Sequence, residues 1–211
     1  NNLLSSQVLG KIYSARTIVS QYLPDWHPQE DYKYFFLSHQ ESGGGSLLEE
    51  SHAIDYLRWF LGDVESVYCN NRKLSDLEMD CEDISILSLE FQSGVLATIQ
   101  VDLLGRVLRR EAEFSCEKGT VTWDGERNLV RLYKLDTKTW EEFQLCIRPD
   151  AYVDEIEHFF DCIHQNKEPL ISFHDGIEAL RVCLAAFKSS DEKRLVRIEE
   201  IDESTIIERV L

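Results

Sequence analysis

Ile84-Ser85-Ile86-Leu87-Ser88-Leu89-Glu90-Phe91-Gln92-Ser93-Gly94-Val95-Leu96-Ala97-Thr98-Ile99-Gln100-Val101-Asp102-Leu103 reads as two strands joined by a turn. Val95, Ala97, Ile99, Val101 and Leu103 alternate with Leu96, Thr98, Gln100 and Asp102, the period of a strand with one buried face. Ser93-Gly94 supplies the hairpin connection. The same period starts near Val64 and continues past this hairpin. Ala112, Phe114 and Cys116 alternate up to a Lys118-Gly119 turn, Val121 and Trp123 follow, and Asp124-Gly125 precedes a strand over Leu129 to Leu135. Residues 64–145 therefore read as an antiparallel meander.

Helices flank this run. Lys11 to Leu23 is rich in β-branched and aromatic residues and is stopped by Pro24, so it reads as a strand running into a loop that ends near Ser42. Leu47, Ile54, Leu57 and Leu61 form an apolar stripe before Gly62, which predicts a helix over 46–61. Glu50 falls inside that stripe, and only its first-turn position speaks for it. Ile156, Phe159, Phe160 and Ile163 predict a second helix, and Ile177, Leu180, Leu184 and Phe187 a third, after a Ser172-x-x-Asp175 capping signature. A short strand over 195–198 closes the chain. Helix, strands, helices is an α+β order, with no linker or repeat to divide residues 1–211, so one domain is expected.

The 211 residues suffice to bury a real core. With 22 Lys and Arg against 39 Asp and Glu the net charge is −17, which repels nucleic acid and anionic membrane surfaces. No apolar run is long enough to span a bilayer. Cysteines at 69, 81, 116, 146, 162 and 183 form no C-x-x-C pair and read as buried thiols of a reducing compartment, with cytoplasm as the expected location. Asn1 to Ser6 carries neither a leader pattern nor an initiator Met, as in a fragment of a longer protein. No G-x-G-x-x-G or G-x-x-x-x-G-K-[ST] occurs, so no phosphate cradle for a dinucleotide or nucleotide is expected here.

Chemistry concentrates in Gly43-Gly44-Gly45-Ser46-Leu47-Leu48-Glu49-Glu50-Ser51-His52-Ala53-Ile54-Asp55-Tyr56-Leu57-Arg58-Trp59. Gly43, Gly44 and Gly45 remove side chains just before a helix N-terminus, where a ligand can approach free N–H groups; a hinge or cap explains glycines equally. On one continuous helix His52 lies about 140° to 200° from Ile54, Leu57 and Leu61 and so points away from the apolar stripe. Its face holds Glu49 at i−3 and Asp55 at i+3, carboxylates that favour its charged form and poise it for proton transfer. Ser46-x-x-Glu49 is also a capping box, which offers Glu49 a second role. The loop over 23–32 mixes aromatics with carboxylates, and Trp26, Asp31 and Tyr32 suit sugar stacking and hydroxyl binding, or a rigid loop with Trp26 tucked into the core. Glu49-x-x-His52 and Glu155-x-x-His158 lie too far apart in strand-rich sequence for a di-iron bundle, so no metal is expected.

The Gly43 to Trp59 string resembles that of the C-terminal domain of the Gfo/Idh/MocA oxidoreductases, which contain glucose-fructose oxidoreductase and inositol dehydrogenase. The glycines, Leu47, Leu48 and an acid keep the family's offsets, while His52 comes one residue early and the acid is Glu49 where the family commonly has Asp. Leu9-Gly10-Lys11-Ile12 resembles the family's lead into its first sheet strand. Tyr152 to Ser190 resembles its closing helices. The resemblance implies an open-faced, mainly antiparallel sheet with helices on one face, and a homo-oligomer, dimer or tetramer, through the open face. It implies an NAD or NADP enzyme acting on a sugar or nucleotide sugar, with His52 as general acid/base and Asp55 orienting it or binding a hydroxyl. The Rossmann domain that would hold the cofactor is absent from this chain, which alone is expected to bind none tightly. Two other uses of the fold stay open: a sugar-binding or assembly module without turnover, and an NAD-dependent glycosidase-like enzyme.

Overall fold

The computed structural model describes residues 9–145 and 151–202. Nine strands form one sheet: β1 (Ile12–Tyr22), β2 (Val64–Arg72), β3 (Ile84–Phe91), β4 (Leu96–Asp102), β5 (Leu104–Cys116), β6 (Gly119–Asp124), β7 (Leu129–Lys134), β8 (Thr139–Gln144) and β9 (Val196–Arg197). Their order is β8-β7-β6-β5-β1-β4-β3-β2-β9. β1 lies between two antiparallel meanders, parallel to β4 and antiparallel to β5. The sequence period finds the meanders but not this insertion, because pairing between distant segments leaves no local mark.

The register explains the alternation. One cross-strand row runs through Tyr68, Ser88, Thr98, Arg16, Glu113, Thr122, Arg131 and Glu142, all on the open face, with Arg16–Glu113 at 3.1 Å and Arg131–Glu142 at 3.0 Å. The opposite face carries Ala15, Val19, Leu87, Leu89, Phe91, Ala97, Ile99, Val101, Ala112, Phe114 and Val121, all buried. Asp102 breaks the pattern. It is buried beneath the Ser20 hydroxyl at 2.7 Å and accepts from the Leu104 amide, closing the corner between β4 and β5.

The described helices are α1 (Leu23–Trp26), α2 (Ser46–Glu49), α3 (His52–Leu61), α4 (Ala151–Gln165) and α5 (Phe173–Glu192), of which α2, α3 and α5 cover that apolar face. α5 packs on β2 and against α3, while α2 touches β3 and β4. The Ser172–Asp175 capping box forms as expected and starts α5. Arg58 ties α3 to α5: Nη1 donates to the Asp175 carbonyl at 2.9 Å, and Nη2 meets Asp63 at 2.9 Å. The loop after α1 is three successive 3-10 turns rather than irregular chain. No described helix is long and apolar enough to cross a membrane. Among the described cysteines none is in a disulfide, and burial pushes the thiols of Cys69, Cys81 and Cys183 up to about 12. Cys146 lies outside the described residues.

Candidate active site

The helix expected over 46–61 is two helices. α2 ends after one turn because Glu50 leaves helical geometry (φ −93°, ψ 22°), and α3 restarts from Ser51. Angles counted at 100° per residue therefore do not carry across this junction. Its consequence is that Glu50, unexplained in the sequence, turns under the helix towards β1. There it is 2% exposed, and Gln21, itself buried, reaches one carboxylate oxygen from Nε2 at 3.4 Å.

The other oxygen lies 2.9 Å from His52 Nε2. The contact is close without being an aligned hydrogen bond, and Glu50 Oε2 has no hydrogen-bond donor among the described residues. The His52 side chain is 57% exposed. A solvent-facing imidazole backed by a buried carboxylate is a proton-transfer arrangement. The carboxylates expected to flank His52 were Glu49 and Asp55; the carboxylate in closest contact with it in the structure is Glu50.

Glu49 is half-buried, and burial, then the Glu50 charge, pushes its carboxyl above the usual carboxylate range, with His52 pulling the other way. It closes no capping box. Gly45 takes the N-cap position without a side-chain bond, and Ser46, one residue further on, shares a hydrogen bond with the Ser85 hydroxyl at 3.1 Å. Asp55 lies on α3 one turn beyond His52 and lines a hollow with Trp59, Leu170 and Ile171. Tyr56, at i+4 from His52, is anchored downward: its hydroxyl contacts Thr17 Oγ1, which donates to the Glu111 carbonyl at 2.8 Å. Burial pushes the Tyr56 phenol up to about 12. The Tyr56 ring meets Trp123 edge-on at 6.0 Å. Neither Thr17 nor Tyr56 stood out in the sequence, although Tyr56 lay on the His52 face.

Gly44 and Gly45 lie close against the protein itself. A Cβ on Gly44 would come within 2.5 Å of the Leu37 carbonyl oxygen, and one on Gly45 (φ +106°) would strike the Glu82 carboxylate. The N–H groups at the start of α2 are also engaged, since Ser46 donates to the Glu82 carbonyl and Leu47 to its carboxylate, each at 3.1 Å. Gly43 is exposed in a left-handed turn (φ +77°). The 23–32 loop is likewise engaged. Trp26 and Tyr32 pack around a second apolar cluster of Leu23, Leu37, Leu77 and Leu103, and the Tyr32 hydroxyl accepts from the Glu78 amide at 3.1 Å. Asp31 caps a 3-10 turn through the Lys33 amide. None of these three meets His52 in a hydrogen bond or ion pair among the described residues.

Comparison with known proteins agrees with this architecture. Residues 1–122 match the GFO/IDH/MocA C-terminal domain model. Myo-inositol 2-dehydrogenase from Thermotoga maritima is 30% identical over 178 residues, which cover 76% of this chain and 51% of that protein. Levoglucosan dehydrogenase, solved with NADH and levoglucosan, superposes with a TM-score of 0.82 at 18% identity over 95% of this chain and 62% of that one. The WlbA dehydrogenase of Bordetella pertussis, solved with NADH and UDP-GlcNAcA, gives 0.71 at 21% identity over 93% of this chain and 59% of that one. The chain thus spans between half and two thirds of the length of these relatives. The element order, the sheet and the Gly43–Trp59 string agree with the family match, and the chain belongs to the GFO/IDH/MocA family as a C-terminal domain.

Proposed function

We propose that this chain is the substrate-binding and catalytic half of an NAD(P)-dependent oxidoreductase that interconverts a hydroxyl and a carbonyl on a sugar or sugar derivative. The observation that carries the reading is the Glu50–His52 pair at the start of α3. No phosphate cradle is present in this chain's sequence, so the reading assigns nicotinamide binding to a dinucleotide-binding portion outside it. That cofactor would supply the hydride acceptor. This chain supplies the proton chemistry: the His52 ring nitrogen not facing Glu50 takes the proton of the reacting hydroxyl, and the Glu50 carboxylate stabilises the imidazolium that results. Glu49 and Asp55 are read as acceptors for neighbouring sugar hydroxyls, as dehydrogenase relatives solved with sugar ligands make reasonable. Assembly into a homo-oligomer goes with this reading, through the open sheet face with its paired arginines and glutamates and exposed Ile86 and Leu96.

The test is nicotinamide-dependent turnover of the full-length protein on a panel of sugars and nucleotide sugars, with His52→Ala alongside. Turnover that falls by about 100-fold or more in the variant, with cofactor affinity kept, supports the reading. Activity within a few-fold of wild type removes His52 from the chemistry.

A further inference from the structure

Four side chains of β1 alternate onto the helix-covered face: Ala15, Thr17, Val19 and Gln21, all buried. Ala15 and Val19 belong to the apolar core. Thr17 contacts the Tyr56 hydroxyl and donates to the Glu111 carbonyl, which accounts for a polar group at that position. Gln21 needs a different account. It falls at the register shift between the pairs Ser20–Arg109 and Tyr22–Leu104, and the pairing of β1 with β4 has ended one residue earlier at Ser20–Asp102. An irregularity of this kind re-aims a side chain. A buried amide costs stability unless it is bonded, and the bond that Gln21 makes is to Glu50, with Nε2 donating to Oε1 at 3.4 Å.

The Glu50 carboxylate is divided between two neighbours. Oε1 takes the Gln21 amide, and Oε2 lies 2.9 Å from His52 Nε2. Among the described residues Gln21 is the one side chain that donates a hydrogen bond to this carboxylate, which is cut off from water. A carboxylate in that position stays ionised only where donors or positive charge replace the water. Gln21 supplies a donor and is neutral. A lysine or arginine in its place would cancel the charge that His52 feels, and among the described residues no Lys or Arg pairs with Glu50. The other titratable groups nearby are the Glu49 carboxyl on α2 and the Tyr56 phenol on α3, both of which respond to the Glu50 charge, with Asp55 further along α3. None of them is a cation, so the negative charge acts on His52. We infer that Gln21 is a positioning residue of the proposed site: its amide keeps the buried Glu50 carboxylate ionised and turned towards His52. The inference rests on the proposed function. Gln21 acts through Glu50 alone. When His52 takes the proton of the reacting hydroxyl, the proton stays on the imidazole, Glu50 stays ionised, and the hydride goes to the nicotinamide.

The experiment is a double-mutant cycle in the full-length gene product that contains this chain: wild type, Gln21→Leu, Glu50→Gln and the double variant. Gln21→Met runs alongside as a second donor-free side chain. Steady-state kinetics give kcat and KM, and ring-labelled histidine NMR gives the titration midpoint of His52. The expected result for Gln21→Leu is a kcat about 5- to 20-fold lower with KM changed by less than about threefold, and a lower His52 midpoint, because a Glu50 without its donor takes up a proton itself. The double variant is expected to match Glu50→Gln within about twofold in kcat, and to share its His52 midpoint, since Gln21 has nothing left to act through. Losses that multiply in the double variant overturn the inference, because Gln21 then works independently of Glu50. A KM rise at constant kcat overturns it in favour of a substrate contact, and an unchanged His52 midpoint in Gln21→Leu and Gln21→Met overturns it outright. Failure of both donor-free variants to fold does the same, making Gln21 a residue of the fold. Should no sugar be turned over, the functional reading fails by itself, and the His52 titration still decides whether Gln21 acts through Glu50.

Discussion

His52 Nε2 lies 2.9 Å from Glu50 Oε2 across the junction of α2 and α3, and the two side chains sit in opposite environments, one open to solvent and one buried. A buried carboxylate that touches a titratable partner acts through it. Glu50→Gln keeps the shape and removes the charge, so in the full-length protein kcat is expected to fall about 10- to 100-fold with KM changed by less than about threefold. Steady-state kinetics check this, and a KM rise at constant kcat would make Glu50 a substrate-binding group instead.

Glu49 gives a pH signature in stability. Its carboxyl titrates above the usual range in the fold, so the folded state holds that proton more tightly than the unfolded chain does. Its contribution is most favourable at acid pH and is lost as pH rises through the raised value. Glu49→Gln is therefore expected to raise the Tm near neutral pH, with the gain shrinking towards about pH 4, where the wild-type carboxyl is protonated. Thermal melts of both proteins across that range decide it.

Gly44→Ala separates a packing role from a ligand-facing one. The added methyl meets the carbonyl oxygens of Leu37 and Phe36, which are backbone and cannot swing aside. A loss of about 1–3 kcal/mol is expected, roughly 2–12 °C in Tm. A glycine kept only for a ligand would lose affinity and leave the melting curve unchanged.

Arg58→Met keeps much of the buried stem and removes both bonds to Asp63 and the Asp175 carbonyl. A cost of about 2 kcal/mol is expected, read as a lower urea midpoint at unchanged slope.

Cys69, Cys81 and Cys183 are expected to resist iodoacetamide in the native protein at pH 8, since thiols pushed up to about 12 hold little thiolate there. Peptide mass mapping before and after denaturation reads this directly, and fast native labelling of Cys69 or Cys183 would contradict the packing of α5 on β2.

What was legible in the sequence was what neighbours in the chain decide. The alternation holds from Val95 to Val101 because one face is buried, and the Ser172–Asp175 box forms because both members sit in one turn. What was not legible depended on distant segments. The Ser46–Glu49 box fails because the Glu82 carbonyl, from the lead into β3, takes the Ser46 N–H, and the Glu49 N–H goes to the Gly45 carbonyl. Gly44 packs against Leu37 and Gly45 against Glu82, neither within reach of a local pattern. Glu50 was the clue to the carboxylate that contacts His52: a carboxylate in an apolar stripe needs either a break in the helix or a partner beneath it, and here both are present.

The central placement of β1 sets an order of events during synthesis. Its neighbours β4 and β5 pair with Ser14 through Leu96 and Ser115, about a hundred residues downstream. At about 5–20 residues per second, the ribosome takes roughly 5–20 s to deliver them after β1 emerges. During that interval β2 and β3 can close as a hairpin while β1 has no strand to lie against. The nascent chain therefore carries an unpaired apolar strand for seconds, and holding that strand away from other chains is the demand this topology makes on the cell's chaperones.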